Sequence, residues 1–294
     1  MDVPVRDEVE DAGEGGARRV PALAFRGQRF ILSQRAVPEE TAIAVSIDGS
    51  THAVMMATPV HVEELGLGLA LAERIVASPA EIERIEVVET EAGLDCQIRL
   101  VPERGRTYVA RRRQMTGPVG CGLCGVESLE LAAPALPVVS AGTVVTPEAI
   151  SAAVEAMARE QALGRETRAV HAAAFHLFDG GLVVAREDVG RHNALDKVAG
   201  YLARNGFDPA SGFITITSRV SVELIQKAAI MGSPLIAAVS APSALAIRMA
   251  EASGVTLVAV VRGAEFEIFT HANRIAGAPG ADETGYAEAA SDAA

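Results

Sequence analysis

The sequence predicts an α/β protein: a mixed sheet with helices on its faces, preceded by a smaller N-terminal α+β region. Three observations predict it. In the C-terminal third, β-branched apolar runs alternate with helical patterns, which implies parallel strands joined by right-handed crossovers. Upstream, three pairs of apolar runs are joined through Gly-containing turns, the mark of antiparallel hairpins. Finally, 49% of the 294 residues are hydrophobic, 4% are aromatic and none is tryptophan. That is ample for a core, and the core must be aliphatic and alanine-rich.

Residues 1–22 read as a disordered acidic tail, since positions 1–20 hold six acids and three arginines. Residues 23–130 form the N-terminal α+β region. There, runs 42–47 and 52–57 flank Asp48-Gly49-Ser50, a hairpin signal. Thr58-Pro59 ends that hairpin, and an amphipathic helix follows with Leu65, Leu69, Ala72 and Val76 on one face. A second hairpin pairs 85–89 with 94–100 and turns near Gly93. Its alternation puts Cys96 on the buried face, where the ordinary role is a small core hydrophobe.

Residues 131–145 are rich in Ala, Pro, Val and Ser and read as a linker to an α/β domain over 146–275. Thr146-Pro147-Glu148 starts a helix with Ile150, Val154 and Met157 on its apolar face. Runs 170–178 and 182–185 form a third hairpin through Asp179-Gly180-Gly181. The next helix buries Leu195, Val198, Ala199 and Leu202. Strands follow at 213–217, 235–239 and 255–261. Between them run a helix opened by Ser221, with Glu223 and Lys227 paired at i,i+4, and one running from Pro242 to Gly254. Residues 276–294, with four acids and no base, read as a second disordered tail.

The net charge is −12. An acidic chain argues against general nucleic-acid binding but leaves room for a local basic pocket. No apolar run is long enough to span a membrane. The acidic N-terminus fits neither a signal nor a transit peptide, and three cysteines without a secretory signal point to the cytoplasm.

The densest chemistry is Cys121-Gly122-Leu123-Cys124, with Gly120 and Gly125 beside it and Arg111, Arg112 and Arg113 upstream. Several readings stand. Structural zinc needs about four ligands, and there is no second C-x-x-C. A structural disulfide fits a cytoplasmic chain poorly. A reactive thiol pair is favoured, because glycines expose the sulfurs and nearby arginines stabilise thiolate. A Gly-rich turn with incidental cysteines is the plain alternative.

Glu187-Asp188-Val189-Gly190-Arg191-His192-Asn193 leads into a helix N-terminus, where backbone N–H groups favour anions and Arg191 and Lys197 add charge. A solvated turn capped by Asn193 or Asp188 explains it equally well. Ser218-Arg219-Val220-Ser221, Ser240-Ala241-Pro242-Ser243 and Val260-Val261-Arg262-Gly263 each follow a strand, the place where α/β sheets bind ligands. Any one is ordinary capping; together they predict a phosphate-binding rim. His171, on an apolar strand, is by default a hydrogen-bonded core residue.

Gly120 to Gly125, His171-Ala172-Ala173, the run from Glu187 through Asn193 to Ala194-Leu195-Asp196-Lys197, and Ser218 through Glu223-Leu224-Ile225-Gln226-Lys227 together resemble the formate dehydrogenase accessory sulfurtransferase (FdhD) family. Met56-Ala57-Thr58-Pro59 is similar to its start. The resemblance implies a cytidine-deaminase-like fold, usually a homodimer, acting as a sulfur carrier. Such a carrier takes sulfane sulfur from a cysteine desulfurase as a persulfide. It passes that sulfur to the molybdenum or tungsten bis-pterin guanine dinucleotide cofactor before insertion into apo-formate dehydrogenase.

By position, Cys121 matches the persulfide cysteine and Cys124 its partner thiol. Val260, Val261, Arg262, Gly263, Ala264 and Glu265 match the cofactor-binding stretch. Ser218, Arg219, Arg191, His192 and His171 are expected to join them around the dinucleotide, of which GDP is a fragment. No permanently bound cofactor or metal is expected. Two other readings compete: a cofactor chaperone that never touches sulfur, and a zinc-dependent deaminase-type hydrolase. The latter's H-x-E and P-C-x-x-C signature is not matched here.

Overall fold

The structure, a computed structural model, describes residues 16–112, 136–139 and 143–279. Three sheets organise it. Strands β1 (Ala17–Arg26) and β2 (Arg29–Pro38) pair only with each other, as an antiparallel ribbon. Strands β3 (Thr41–Ile47), β4 (Ser50–Ala57), β5 (Ile82–Thr90) and β6 (Gly93–Leu100) form a four-stranded sheet in the order β4-β3-β6-β5. Asp48 and Gly49 both take positive φ, 47° and 77°, as a tight two-residue hairpin turn requires. One face of this sheet is packed by α1 (Val62–Ala72) around Ile43, Val45, Leu65, Leu69, Cys96 and Ile98. Helix α2 (Pro102–Arg112) follows β6.

The third sheet has six strands in the order β12-β11-β10-β9-β7-β8. They are β7 (His171–Leu177), β8 (Leu182–Asp188), β9 (Gly212–Ile216), β10 (Leu235–Ala238), β11 (Thr256–Arg262) and β12 (Glu265–Ile268). Strands β9, β10 and β11 are parallel, and the outer pairs are antiparallel. Both faces are covered. Helices α5 (Arg191–Arg204), α6 (Val222–Met231) and α7 (Ala244–Ser253) pack over Phe175, Ile214, Ile236 and Leu257. Helix α3 (Pro147–Glu160) packs over Phe213, Leu235 and Val258 on the other side, and the short helix α4 (Ala162–Thr167) follows it. Strands β9 and β10 are buried at every position for that reason. Thr146 caps α3 by accepting from the Ala149 N–H at 3.2 Å, as its sequence predicts.

The mixed α/β fold and its hairpins are as the sequence predicts; three details differ. Residues 17–22, read as tail, belong to β1. Parts of the expected linker and second tail are docked. The Val139 N–H donates to the Ser253 carbonyl, and Val145 forms a parallel bridge with Ile275, whose neighbour Ala276 donates to the Val145 carbonyl. Lys227 pairs at 2.6 Å with Asp196 of α5, not with Glu223 one turn away, because a nearly buried carboxylate needs a cation more than a partly exposed one does.

Helices α1 and α5 join the two larger sheets. A Cβ on Gly68 would strike the Asp196 carbonyl, and one on Gly200 would strike the Glu64 carbonyl, so each helix presents a glycine where the other's backbone arrives. Arg186 binds both Glu64 oxygens, at 2.6 and 2.9 Å, beside this crossing.

Candidate functional site

The sheet's register brings the strand-end motifs together. His171 opens β7 opposite Asp188, the last residue of β8. Because β7 runs antiparallel to β9, His171 also lies beside the carboxyl end of β9. There the Thr217 N–H donates to the Ala172 carbonyl at 3.0 Å, and the Ala172 N–H donates to Thr217 Oγ1 at 2.9 Å. The next ends are stitched in turn. Val239 donates to Ile216 at 2.9 Å, Val220 to Ala241 at 3.2 Å, and Val260 to Ser240 at 3.4 Å. Arg262 Nη1 donates to the carbonyls of Val239 and Val261. His171, Arg191, His192, Ser218, Arg219, Ser240 and the run from Val260 to Glu265 therefore share one edge of the sheet, the edge where α/β folds bind ligands.

Within that edge the residues differ. Arg219, Arg262, Gly263, Ala264 and Glu265 are exposed. Ser218 is buried and donates its hydroxyl to the Arg219 carbonyl at 3.1 Å, so it shapes the loop and does not face outward. Val260 has φ +57°, at the shift in register between Ala259 and Arg262. A β-branched residue held there costs about 1–3 kcal/mol, a strain typical of ligand-binding segments.

His192 is the centre of the half-buried part. Its Nε2 lies 3.3 Å from Ser221 Oγ and 4.0 Å from Glu223. Burial first, then Arg191 and Lys227, push its pKa down to about 4, so it is a neutral imidazole at physiological pH. His171 is lowered too, by burial and by Arg191. For Glu223, burial opposes ionisation, but the Ser221 hydroxyl, its own amide, His192 and Arg191 outweigh it and hold the carboxyl below its ordinary value. Arg191 keeps a buried Nε without a partner among the described residues. Two neutral imidazoles, a hydroxyl, arginines and a helix N-terminus can accept and donate hydrogen bonds to a polar anionic ligand.

Sequence reasoning missed a second cluster beside this one. Lys197 and Asp188 are both fully buried and 2.6 Å apart. Asp188 also accepts from the N–H groups of Thr58 and Gly190, at 3.1 and 2.7 Å, and from Asn193 Nδ2 at 3.0 Å. Lys197 Nζ donates its second bond to the Thr58 carbonyl at 2.9 Å. Lys197 is thus unavailable to an anion, contrary to the sequence expectation. Asp188 and Asn193 clamp the 56–58 segment rather than cap α5 with a side chain: Gly190 holds the cap position, and Asn193 Nδ2 also reaches the Met56 carbonyl. The nine-residue spacing from Asp188 to Lys197, across a strand end and a helix, was the available signal.

Cys121 and Cys124 lie outside the described residues, as does Arg113; Arg111 and Arg112 end α2. Cys96 is buried, and burial, then Glu63 and Asp95, push its thiol up to about 12, which leaves it unreactive. The histidine that fits a core role best is His176. It is fully buried, 3.0 Å from Thr215 Oγ1 and stacked on Phe213, whereas His171 is only half-buried. Among the described residues no group of three or more His, Cys, Asp or Glu is placed to hold a metal.

Residues 38–276 match the model of the FdhD/NarQ family. The chain belongs to that family. It is 50% identical over 263 residues to the sulfur carrier protein FdhD of Agrobacterium fabrum, covering 89% of this chain and 97% of the relative. It is 39% identical over 278 residues to the same-named protein of Variovorax paradoxus, covering 95% and 98%. A crystal structure from Desulfotalea psychrophila, of a protein named for a formate dehydrogenase accessory role, superposes with TM-score 0.70 at 23% identity. It covers 88% of this chain and 99% of its own, and shows a shared fold. The clamp, the sheet edge and the C-x-x-C all fall inside the family span, while nearly all of the ribbon precedes it. No helix among the described residues is long and apolar enough to cross a membrane.

Proposed function

We propose that this chain is a sulfur carrier in formate dehydrogenase maturation. Cys121 receives sulfane sulfur from a cysteine desulfurase as a persulfide, and Cys124 is the neighbouring thiol that protects or releases it. The sulfur then passes to a molybdenum or tungsten bis-pterin guanine dinucleotide, held transiently, before that cofactor enters apo-formate dehydrogenase. The observation that carries this reading is the match over 97% of a relative named as a sulfur carrier, together with the glycine-flanked Cys121–Cys124 pair in the matched span.

The sheet edge supports the ligand half. The pyrophosphate of a dinucleotide suits Arg191, Arg219 and Arg262 around a helix N-terminus. The neutral imidazoles of His171 and His192 would hydrogen-bond without adding charge. A cytoplasmic homodimer completes the reading. Loading is a thiol–persulfide exchange: the Cys121 thiolate attacks the terminal sulfur of the desulfurase persulfide, and the desulfurase leaves as thiolate.

Incubation with a cysteine desulfurase and cysteine, followed by intact and peptide mass spectrometry, tests this. A gain of one sulfur, about 32 Da, is expected on the peptide holding Cys121 and is expected to be absent in Cys121→Ala. Sulfur confined to Cys96 overturns the assignment. A Cys121→Ala protein that still supports full dehydrogenase maturation favours the cofactor chaperone instead.

A further inference from the structure

Ser221 stands at the N-cap of α6, on extended backbone with φ −96° and ψ 168°. A serine there ordinarily accepts from one of the first free N–H groups of its helix. This one makes no such bond. The Glu223 carboxylate takes that part instead, accepting from its own N–H as well as from the Ser221 hydroxyl. An acid in the first turn is also favoured by the helix dipole. The serine oxygen is left facing His192, whose Nε2 lies 3.3 Å away. Glu223 is 4.0 Å from that nitrogen, too far for a hydrogen bond.

One hydroxyl has one proton. Donating it to an ionised carboxylate makes a stronger bond than donating it to a neutral ring nitrogen. Ser221 therefore meets His192 with a lone pair, and the proton between them belongs to Nε2. A neutral imidazole protonated at Nε2 is an acceptor at Nδ1. His192 is neutral because burial, then the cations Arg191 and Lys227, disfavour its charge; Glu223 and His171 are the other titratable groups that face it. Its Nδ1 has no partner among the described residues, and the side chain is 24% exposed. The frame around the pair is fixed. Val220 donates to the Ala241 carbonyl at 3.2 Å and accepts from the Ser243 N–H at 3.0 Å. One turn further along α5 and α6, Asp196 and Lys227 pair at 2.6 Å and set the spacing of the two helices.

We propose that Ser221 and Glu223 are positioning residues for the ligand edge: they hold His192 as the Nε2–H tautomer, so that Nδ1 offers a lone pair to an uncharged donor of the ligand, a sugar hydroxyl or a base N–H. A lone pair set against phosphate oxygens would be repelled. Arg191 and His192 thus divide the ligand between them, charge to the guanidinium and the uncharged donor to the imidazole. The inference deepens the reading of this edge as the dinucleotide site and rests on it, but the tautomer is a property of the free protein.

Proton–nitrogen correlation spectra of the full chain, isotope-labelled at histidine and recorded at neutral pH without ligand, read that tautomer, and His192→Gln assigns the signal. Wild type is expected to show the Nε2–H form, Ser221→Ala and Glu223→Ala a mixture of tautomers, and Ser221→Thr the Nε2–H form again. A dominant Nδ1–H form in wild type, or a single Nε2–H form in every variant, overturns the proposal. Calorimetry with GDP, 2′,3′-dideoxy-GDP and ADP reads the ligand half. Removing the donor is expected to weaken binding about two- to tenfold. The dideoxy nucleotide shows that loss if the donor is the sugar, and ADP shows it if the donor is the ring N–H of guanine. The loss is expected to shrink in Ser221→Ala. Equal affinities for all three in wild type, or a loss unchanged in Ser221→Ala, overturns the proposal. If GDP does not bind although the expected tautomer is present, the reading of the edge falls and the ligand role with it; a wrong tautomer in a protein that binds GDP sinks the positioning role alone.

Discussion

Asp188 and His192 stand four residues apart at the same end of β8 and α5, yet their surroundings are opposite. Asp188 is fully buried, and its two oxygens accept from two backbone N–H groups, an amide and an ammonium. Among the described residues, the partly open His192 touches a single hydroxyl, with Arg191 beside it keeping an unused donor. A closed polar cluster fixes one geometry, because every group would lose a partner by moving. An open one leaves hydrogen-bonding capacity for something that is not protein. A dense run of polar residues in a sequence thus divides into scaffold and site, and saturation of the donors is what separates them.

The largest expected effect is on the closed cluster. Asp188→Ala strands a buried ammonium and frees the 56–58 segment, at a cost of about 3–5 kcal/mol by chemical denaturation. A loss under about 1 kcal/mol would mean that the cluster is not what holds the two sheets together.

Acid comes next, and it acts on buried imidazoles. His176 and His192 have folded pKa values near 4, pushed down by burial, against an ordinary 6.5. Between those values the unfolded chain binds more protons. Stability is therefore full above about 6.5, falls as the pH drops towards 4, and levels off below it. For the fully buried His176 the loss is on the order of 3 kcal/mol. His176→Gln is expected to flatten that slope in denaturation curves taken between pH 7 and pH 4. An unchanged slope assigns it to other groups.

Arg262→Ala sharpens the open side. If its exposed guanidinium meets a phosphate, calorimetry with GDP is expected to show a loss of about 1.5–3 kcal/mol, with persulfide loading unaffected. Equal binding by both proteins would place the ligand elsewhere on the edge. The smallest effect is that of Ser221→Ala. Its hydroxyl makes no cap bond to α6, so stability is expected to fall by only about 0.5–1 kcal/mol. Glu223, relieved of that hydroxyl, is expected to titrate closer to its ordinary value in NMR.

Much of this was legible beforehand. Hairpin turns and β-branched runs located every strand of both large sheets except the edge strand β12, and the placement of ligands at strand ends in α/β folds located the edge before its register was known. The ribbon was not legible as a separate sheet: Arg26-Gly27-Gln28-Arg29 is a poor turn signal by composition, although Leu23, Phe25, Phe30 and Leu32 alternate around it. Lys197 was misread because a lysine on a helix is charged and solvated by default, and only tertiary structure shows that Asp188 awaits it. Glu223 and Lys227 satisfy the helical spacing rule, but local spacing cannot reveal the buried Asp196 that outcompetes Glu223.

The glycine crossing of α1 and α5 governs how the molecule comes apart. The helices touch backbone to backbone at Gly68 and Gly200, and the bonds from Lys197 and Asp188 to Thr58 lie on the same seam. The four-stranded unit therefore cannot loosen without exposing the core of the six-stranded one. Amide protons in β3 and in β9 are then expected to exchange with solvent through one shared opening, at the same free energy, while those of the β1–β2 ribbon exchange early and independently.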